Sequence, residues 1–536
     1  MSLKIACEQL NFLVGDIEGN AEKIIRAANN AVQNHQADLV VFPELALTGY
    51  PPEDLLYRPA LYDRLQKALE KIKTEINKEA AVIVGYPSFE NGARFNKACV
   101  IYKGEIIADY AKRKLPNYAV FDEKRYFKPG DKTCVFEIKK HKIGLLICED
   151  IWQENPVRET AAAGADILIS INASPFAQDK ENARHHLVKK HVHEIKKPFL
   201  YCALVGGQDE IVFDGGSFLY DAEANLHQQA RYFVEQELII AFDDHNKIIS
   251  HKDKPSRLSM EEKVYKALVL AVRDYVHKNN FSGVLLGLSG GVDSALTCAI
   301  ATDALGADKV HAVMMPSQFT ANMSLEDAKA QAAALGVEYS LIDIEPAFKA
   351  FKASLKTHLI KKENDVTEQN LQARCRGVLL MALSNNKNYL VLTTGNKSEM
   401  AVGYATLYGD MAGGFAALKD VYKTMVYRLC NYRNAISPVI PLRVLTRAPS
   451  AELAPDQKDQ DNLPPYDILD QIIERYVGHD ESPATIIEAG FDKDTVEKVV
   501  RLIKHNEYKR RQAPIGARIT ERAFGKDRRY PITSRF

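Results

Sequence analysis

The chain has 536 residues, with 70 Lys+Arg against 70 Asp+Glu, 46% hydrophobic and 26% charged residues. These are the proportions of an ordinary globular protein, and they exclude a disordered, fibrous or disulfide-scaffold chain. Zero formal net charge exerts no overall pull toward nucleic acid or a membrane, so neither is expected as a partner.

No apolar run approaches the roughly 18 residues of a membrane-crossing helix, and Met1 to Ile5 have no charged-then-apolar leader, so a cytoplasmic protein is expected. The eight cysteines are scattered, with no C-x-x-C pair. A disulfide framework or zinc ribbon is therefore not expected, and one cysteine is free to be a nucleophile.

In chain order, short apolar or alternating runs predict strands at residues 3–10, 37–45, 81–87, 97–110, 142–150, 165–174, 198–205 and 216–221. Lys103-Gly104 splits one of them as a hairpin turn. Helical, charge-studded segments lie between, as at 20–35 and 61–78. The pattern is an α/β domain with antiparallel parts, expected to cover residues 1–245.

Residues 243–260 are polar and carry a proline without apolar periodicity, which reads as a linker, its core at 246–260. A helix at 261–278 then opens a second series of strands at 283–288, 309–315, 339–344 and 389–393. Long helical patterns separate them, the mark of parallel βαβ units in a second domain at 261–536. Residues 448–500 hold 13 Asp/Glu against 4 Lys/Arg, and residues 501–536 hold 11 Lys/Arg against 3 Asp/Glu. Mutual neutralisation of two solvated stretches is expected, with a basic tail gripping an anionic substrate as the sharper alternative.

In the second half, Gly287-Leu288-Ser289-Gly290-Gly291-Val292-Asp293-Ser294 follows a strand and opens a helix. That order places backbone N–H groups and a positive helix end where a phosphate can sit. It is neither Walker A nor G-x-G-x-x-G, because Asp293 stands where a phosphate-binding lysine would, which suits a Mg²⁺-bound pyrophosphate. A second strand end carries Thr394-Gly395-Asn396-Lys397-Ser398-Glu399, and a helical stretch between the two puts Asn370 and Arg374 on one face.

The loop resembles that of the ATP pyrophosphatases. With Tyr408-Gly409-Asp410 and Tyr508-Lys509-Arg510-Arg511, the whole second half resembles NAD synthetase domains, with a doubly wound, Rossmann-like parallel sheet. That resemblance implies that Gly287, Leu288, Ser289, Gly290, Gly291, Val292, Asp293, Ser294 and Thr394 bind ATP, a co-substrate, with Lys423 and Ser450 as further ATP contacts. It also implies that Asp293 and Glu399 serve Mg²⁺, and that Asn370, Glu399 and Lys509 contact deamido-NAD⁺. Domains of this kind are commonly dimeric, so a homo-oligomer is expected.

In the first half three motifs end strands or follow them: Val41-Phe42-Pro43-Glu44-Leu45, Lys112-Arg113-Lys114-Leu115-Pro116-Asn117-Tyr118, and Leu146-Ile147-Cys148-Glu149-Asp150. A thiol attacks as thiolate and needs a base and a nearby cation, which Glu44 and Lys114 can supply. Jointly the motifs resemble the nitrilase superfamily, an α-β-β-α sandwich whose Glu-Lys-Cys triad hydrolyses amides through a thioester. The resemblance makes Glu44 the general base, Lys114 the oxyanion stabiliser and Cys148 the nucleophile. Compared with glutaminase members, Tyr118, Ser174 and Lys180 fall on the glutamine-binding side, and Glu149 suits the α-ammonium. Glu123 is a further candidate base.

His185, His186, His191 and His193 crowd nine residues, but their spacing and the lack of a partnering carboxylate or thiol favour a solvated helix over a metal site.

Together the halves imply an amidotransferase of the NAD synthetase family: glutamine supplies ammonia, and ATP adenylates deamido-NAD⁺, which ammonia converts to NAD⁺. GMP synthetase-like and asparagine synthetase-like readings lose, because Cys148 lies between Ile147 and Glu149 rather than in a Gly-x-Cys-x-Gly elbow, and position 2 is Ser2 rather than cysteine.

Overall fold

The computed structural model describes residues 2–252, 257–360, 365–455 and 457–534. Residues 253–256, the middle of the expected linker, lie outside the described residues. The chain divides into two compact units, one of residues up to 208 with 212–257, the other of residues 209–211 with 258 onward.

Two six-stranded sheets build the first unit. One has the order Gln236–Phe242, Leu3–Gln9, Leu39–Val41, Ala81–Glu90, Ala93–Tyr102, Glu105–Ala111. The other runs Leu226–Gln229, Phe218–Tyr220, Phe199–Ala203, Ile167–Asn172, His141–Ile147, Val135–Ile138. In each, a central parallel trio is flanked by antiparallel strands. Parallel neighbours need crossover connections, supplied by the helices Ile17–His35 and Pro59–Glu75 in the first sheet and Glu154–Ala162 and Lys180–Ile195 in the second.

Period-2 alternation decides which side chains meet. Leu3, Ile5 and Cys7 of one sheet share a buried cluster with Ile143, Leu145, Ile147, Ile167, Ile169 and Ile171 of the other. The intervening Leu146, Leu168, Phe199 and Tyr201 point the opposite way, onto Val157, Val188 and Val192 of the helices. The result is the expected α-β-β-α sandwich.

Local signals set the boundaries. Asp16 caps its helix by accepting from Gly19 N at 3.2 Å. At the predicted hairpin both Lys103 (φ 53°) and Gly104 (φ 83°) are left-handed, as a type I′ turn requires. The stretch read as linker begins inside the first unit: Asp243 N bonds Lys247 O, Ile249 N bonds Ala241 O, and Ile248 packs on the inter-sheet core. An isolated apolar pair, Ile248-Ile249, among polar neighbours carries too little periodicity to announce that return.

The second unit holds a five-stranded parallel sheet in the order Glu338–Leu341, Val310–Met314, Gly283–Gly287, Tyr389–Thr393, Phe415–Ala416. The first strand in sequence lies centrally, two follow on one side and two on the other. Gly283–Gly287 and Tyr389–Thr393 therefore border the point where strand order reverses, and their carboxyl ends open a crevice there.

Candidate active sites

In the first unit, Glu44 follows the strand Leu39–Val41, Cys148 follows His141–Ile147, and Ser174 follows Ile167–Asn172, all at carboxyl ends of parallel strands. Glu44 Oε1 accepts from Lys112 Nζ at 2.7 Å and Asn96 Nδ2 at 2.8 Å, and Oε2 accepts from Ala173 N at 2.9 Å. Lys112 Nζ also donates to Glu123 Oε1 at 2.9 Å, an oxygen shared with the Tyr50 hydroxyl at 2.9 Å. The side chains of Lys112 and Glu44 have no exposed surface.

The lysine beside the glutamate is thus Lys112, and the expectation of Lys114 is corrected. Tyr110, Lys112 and Lys114 share strand parity, so alternation alone cannot separate them. Strand pairing stops at Ala111, and the backbone N–H groups of Arg113 and Lys114 are taken up by Asp150 Oδ1 at 3.0 and 2.8 Å. The chain turns there, leaving Lys114 half-buried while the Lys112 ammonium points inward.

Cys148 sits at φ +44°, a left-handed conformation costly for a residue with a Cβ, on a sharp turn from strand into a short 3₁₀ helix. Its thiol is buried, which pushes its pKa well above the ordinary value; the charge on Glu44 pushes the same way and Lys112 opposes both. Burial also raises the Glu123 carboxyl to about 7, against the pull of Lys112. The Lys112 ammonium is held charged, because Glu123 and Glu44 outweigh its burial. A neutral thiol beside a carboxylate and a fixed cation can pass its proton to the carboxylate during attack while the cation stabilises an oxyanion.

Around this trio, the Tyr118 hydroxyl donates to Glu149 Oε2 at 3.0 Å, and Lys180 Nζ lies 4.0 Å from the centre of the Trp152 ring. Ser174 Oγ accepts from Arg184 Nε at 3.3 Å, while Arg184 is locked by its Nη1, which donates to both oxygens of the buried Asp214 carboxylate at 2.8 and 2.9 Å. Of the histidines, His191 is buried with Nε2 2.6 Å from Ile151 O, and His185 stacks on Phe218 at 4.3 Å. These two belong to the packed face of their helix rather than to a solvated one. No group of three metal-ligating side chains occurs among the described residues.

In the second unit one cleft is lined by the 287–294 loop together with Asn370, Thr394, Glu399, Lys423, Ser450 and Lys509. All the residues expected on sequence for the two nucleotides, except the more enclosed Gly290, line this cleft. Gly290 has φ +76°, and a Cβ there would lie 2.5 Å from Ser324 O, so the turn admits only glycine. Ser289 Oγ and Ser294 Oγ, 3.0 Å apart, brace the loop.

Asp293 and Glu399 converge on the Lys423 ammonium at 2.5 and 3.0 Å. Asn396 ties them: its Nδ2 donates to Asp293 Oδ1 at 2.8 Å, and its Oδ1 caps the next helix by accepting from Glu399 N at 3.0 Å. Burial, with Asp293 and Asp459 nearby, raises the Glu399 carboxyl to about 8 despite Lys423. Asn396 was not anticipated, although Asn-x-x-Glu after a strand is a capping-box spacing. Lys509 Nζ is aimed by the carbonyls of Gly403 and Ala405 at 2.8 and 2.9 Å. Elsewhere in the basic tail Arg510 and Arg528 pair with Glu507, Arg518 pairs with Asp527, and Arg522 reaches Asp480 in the acidic stretch.

The NAD synthase family model matches residues 264–513 and the carbon-nitrogen hydrolase model residues 4–250. A glutamine-dependent NAD(+) synthetase of Acinetobacter baylyi is 50% identical over 99% of this chain and 98% of its own. One from Aquifex aeolicus is 44% identical over the full length of both. Among solved structures, the glutamine-dependent NAD⁺ synthetase of Acinetobacter baumannii in complex with ADP has a TM-score of 0.81 at 46% identity, covering 99% of this chain and 98% of that one.

Proposed function

The chain belongs to the glutamine-dependent NAD(+) synthetases, and we propose that its two units divide that reaction through the residues described above. Glutamine is hydrolysed to glutamate and ammonia through a cysteine thioester. ATP adenylates the nicotinate carboxylate of deamido-NAD⁺ with release of pyrophosphate, and ammonia displaces AMP to give NAD⁺. The protein is a carbon-nitrogen ligase that uses ATP.

In the first unit Cys148 is the nucleophile. Glu44 takes its proton as sulfur attacks the carboxamide carbon, Lys112 stabilises the tetrahedral oxyanion, and Glu123 keeps Lys112 aimed. Tyr118, Ser174 and Lys180 hold the amino-acid end of glutamine, with Lys180 on the α-carboxylate and Glu149 on the α-ammonium. The observation that carries this reading is the buried Lys112–Glu44 pair, because a charge pair so desolvated is costly to keep without a task.

In the second unit, backbone N–H groups of residues 287–294 receive the ATP phosphates at the helix N-terminus, with Thr394 on the nucleotide and Lys423 and Ser450 as further contacts. Asn370, Glu399 and Lys509 hold deamido-NAD⁺. Asp293 and Glu399, whose carboxylates now share the Lys423 ammonium, would hold Mg²⁺ through the hard oxygen donors it requires. A Mg²⁺ ion held there would supply charge neutralisation for the pyrophosphate leaving group. No helix among the described residues is long and apolar enough to cross a membrane. A cytoplasmic homo-oligomer is the accompanying proposal.

The test is a product assay with deamido-NAD⁺, ATP, Mg²⁺ and glutamine. NAD⁺, glutamate, AMP and pyrophosphate are expected, whereas ADP and phosphate would overturn the adenylation.

A further inference from the structure

Asp150, two residues beyond the nucleophile, has no exposed surface. Its carboxylate receives four hydrogen bonds. Oδ1 accepts from Arg113 N at 3.0 Å and Lys114 N at 2.8 Å, and Oδ2 accepts from Ile147 N at 3.1 Å and the Tyr110 hydroxyl at 2.7 Å. Two of these donors lie just after Lys112 and one just before it. The fourth is the amide immediately preceding Cys148.

The segments so joined belong to different sheets: the end of Glu105–Ala111 in one, the end of His141–Ile147 in the other. We propose that Asp150 is a positioning residue of the glutaminase step, setting the distance between the Cys148 sulfur and the Lys112 ammonium across the two sheets.

Two arguments support it. Cys148 is held at φ +44°, and such a turn persists only where its surroundings over-determine it; Asp150 grips the residue before it. Four donors also saturate a carboxylate, which is acceptor-only when ionised. An amide at this position would set its own N–H groups against two of those donors, so Asp150→Asn is not conservative. Tyr118 and Lys180 take no part in these bonds, so glutamine binding is left alone while the chemical step loses alignment.

The proposal rests on the reading of Cys148 and Lys112 given above, and the experiment separates the two. Steady-state kinetics are measured with glutamine and with ammonia for Cys148→Ala, Asp150→Asn and Tyr110→Phe, together with the pH profile of iodoacetamide alkylation at Cys148, followed by peptide mass spectrometry. For Asp150→Asn, glutamine-dependent kcat is expected to fall about a hundredfold, the loss typical of an ångström-scale misplacement. KM for glutamine and ammonia-dependent synthesis are expected to hold, and the alkylation profile to move to higher pH as the lysine recedes.

Should Asp150→Asn fail to fold, Tyr110→Phe decides, since it removes one bond of four; a drop of about tenfold in kcat alone is expected from the loss of one charge-assisted bond. Unchanged kcat in the folded variant, or a loss shared equally by ammonia-dependent synthesis, overturns the proposal. Glutamine use surviving in Cys148→Ala would instead overturn the reading of the site itself.

Discussion

Lys112 and Glu44 are 68 residues apart in the chain, yet their charged ends meet at 2.7 Å with neither side chain exposed. A pair of this kind must be completed by further bonds, and it is: Glu123 shares the ammonium, while Asn96 and the Ala173 amide fill the carboxylate. Lys114, two residues on, lies outside the set.

Lys112→Met is therefore expected to lower glutamine-dependent NAD⁺ formation about a hundredfold to a thousandfold, the range for loss of one oxyanion donor. It should also cost about 3–5 kcal/mol of stability in the first unit, because Glu44 and Glu123 are left as uncompensated buried charges. Lys114→Met should stay within about twofold of wild type, because the half-buried Lys114 lies outside the bonds that join Lys112, Glu44 and Glu123. Parallel assays of the two variants with glutamine and with ammonia check this, and inactivation by Lys114→Met alone would restore the original assignment.

Cys148→Ala should abolish glutamine use and spare ammonia-dependent synthesis, since only amide cleavage requires the sulfur. Equal loss of both would make Cys148 a structural residue.

Asn396→Ala should impair both nitrogen sources, because adenylation is common to them. Asp293 loses its 2.8 Å donor and the helix its cap, which is worth about 1 kcal/mol. The expected signature is a lower kcat for pyrophosphate release, read with either amide donor. Confinement of the defect to glutamine-dependent turnover would contradict the placement of Asn396 in the adenylating cleft.

Gly290→Ala should eliminate adenylation outright. The methyl group would meet Ser324 O at 2.5 Å on a backbone already at φ +76°, and the loop cannot keep its shape. Retained pyrophosphate release would show that the loop yields.

Burial raises the Glu123 carboxyl from 4.5 to about 7, so the folded protein binds a proton there more tightly than the unfolded chain does. Its contribution to stability is full below pH 4.5 and is lost as pH rises toward 7. The melting temperature of the first unit's transition should carry that decline in wild type, and Glu123→Gln should flatten it. An unaltered slope in the variant would show that Glu123 stays ionised when folded.

Local signals in the amino-acid sequence determined the architecture. Strand runs, hairpin turn and glycine-rich loop depend on neighbours in sequence, and the structure shows each near its expected bounds, with Lys103-Gly104 in the turn and Asp293 opening its helix. The motifs likewise placed Glu44, Cys148, Asp293 and Glu399 at strand carboxyl ends. What only the tertiary structure decided is which like residue faces inward. Lys112 and Lys114 have the same type and parity, and they differ through where strand pairing stops and through a carboxylate from the other sheet that captures the following amides. Spacing and the lack of a partnering carboxylate or thiol point His185 and His191 to a solvated helix, but packing of that helix against the second sheet buries His191 and half-buries His185 on Phe218. Asp150 and Asn396 stand inside the motifs, but their roles are hidden there for the same reason: each acts by joining segments tens to a hundred residues apart, and a single chain of letters records neither the distance between those segments nor the donors they leave unsatisfied.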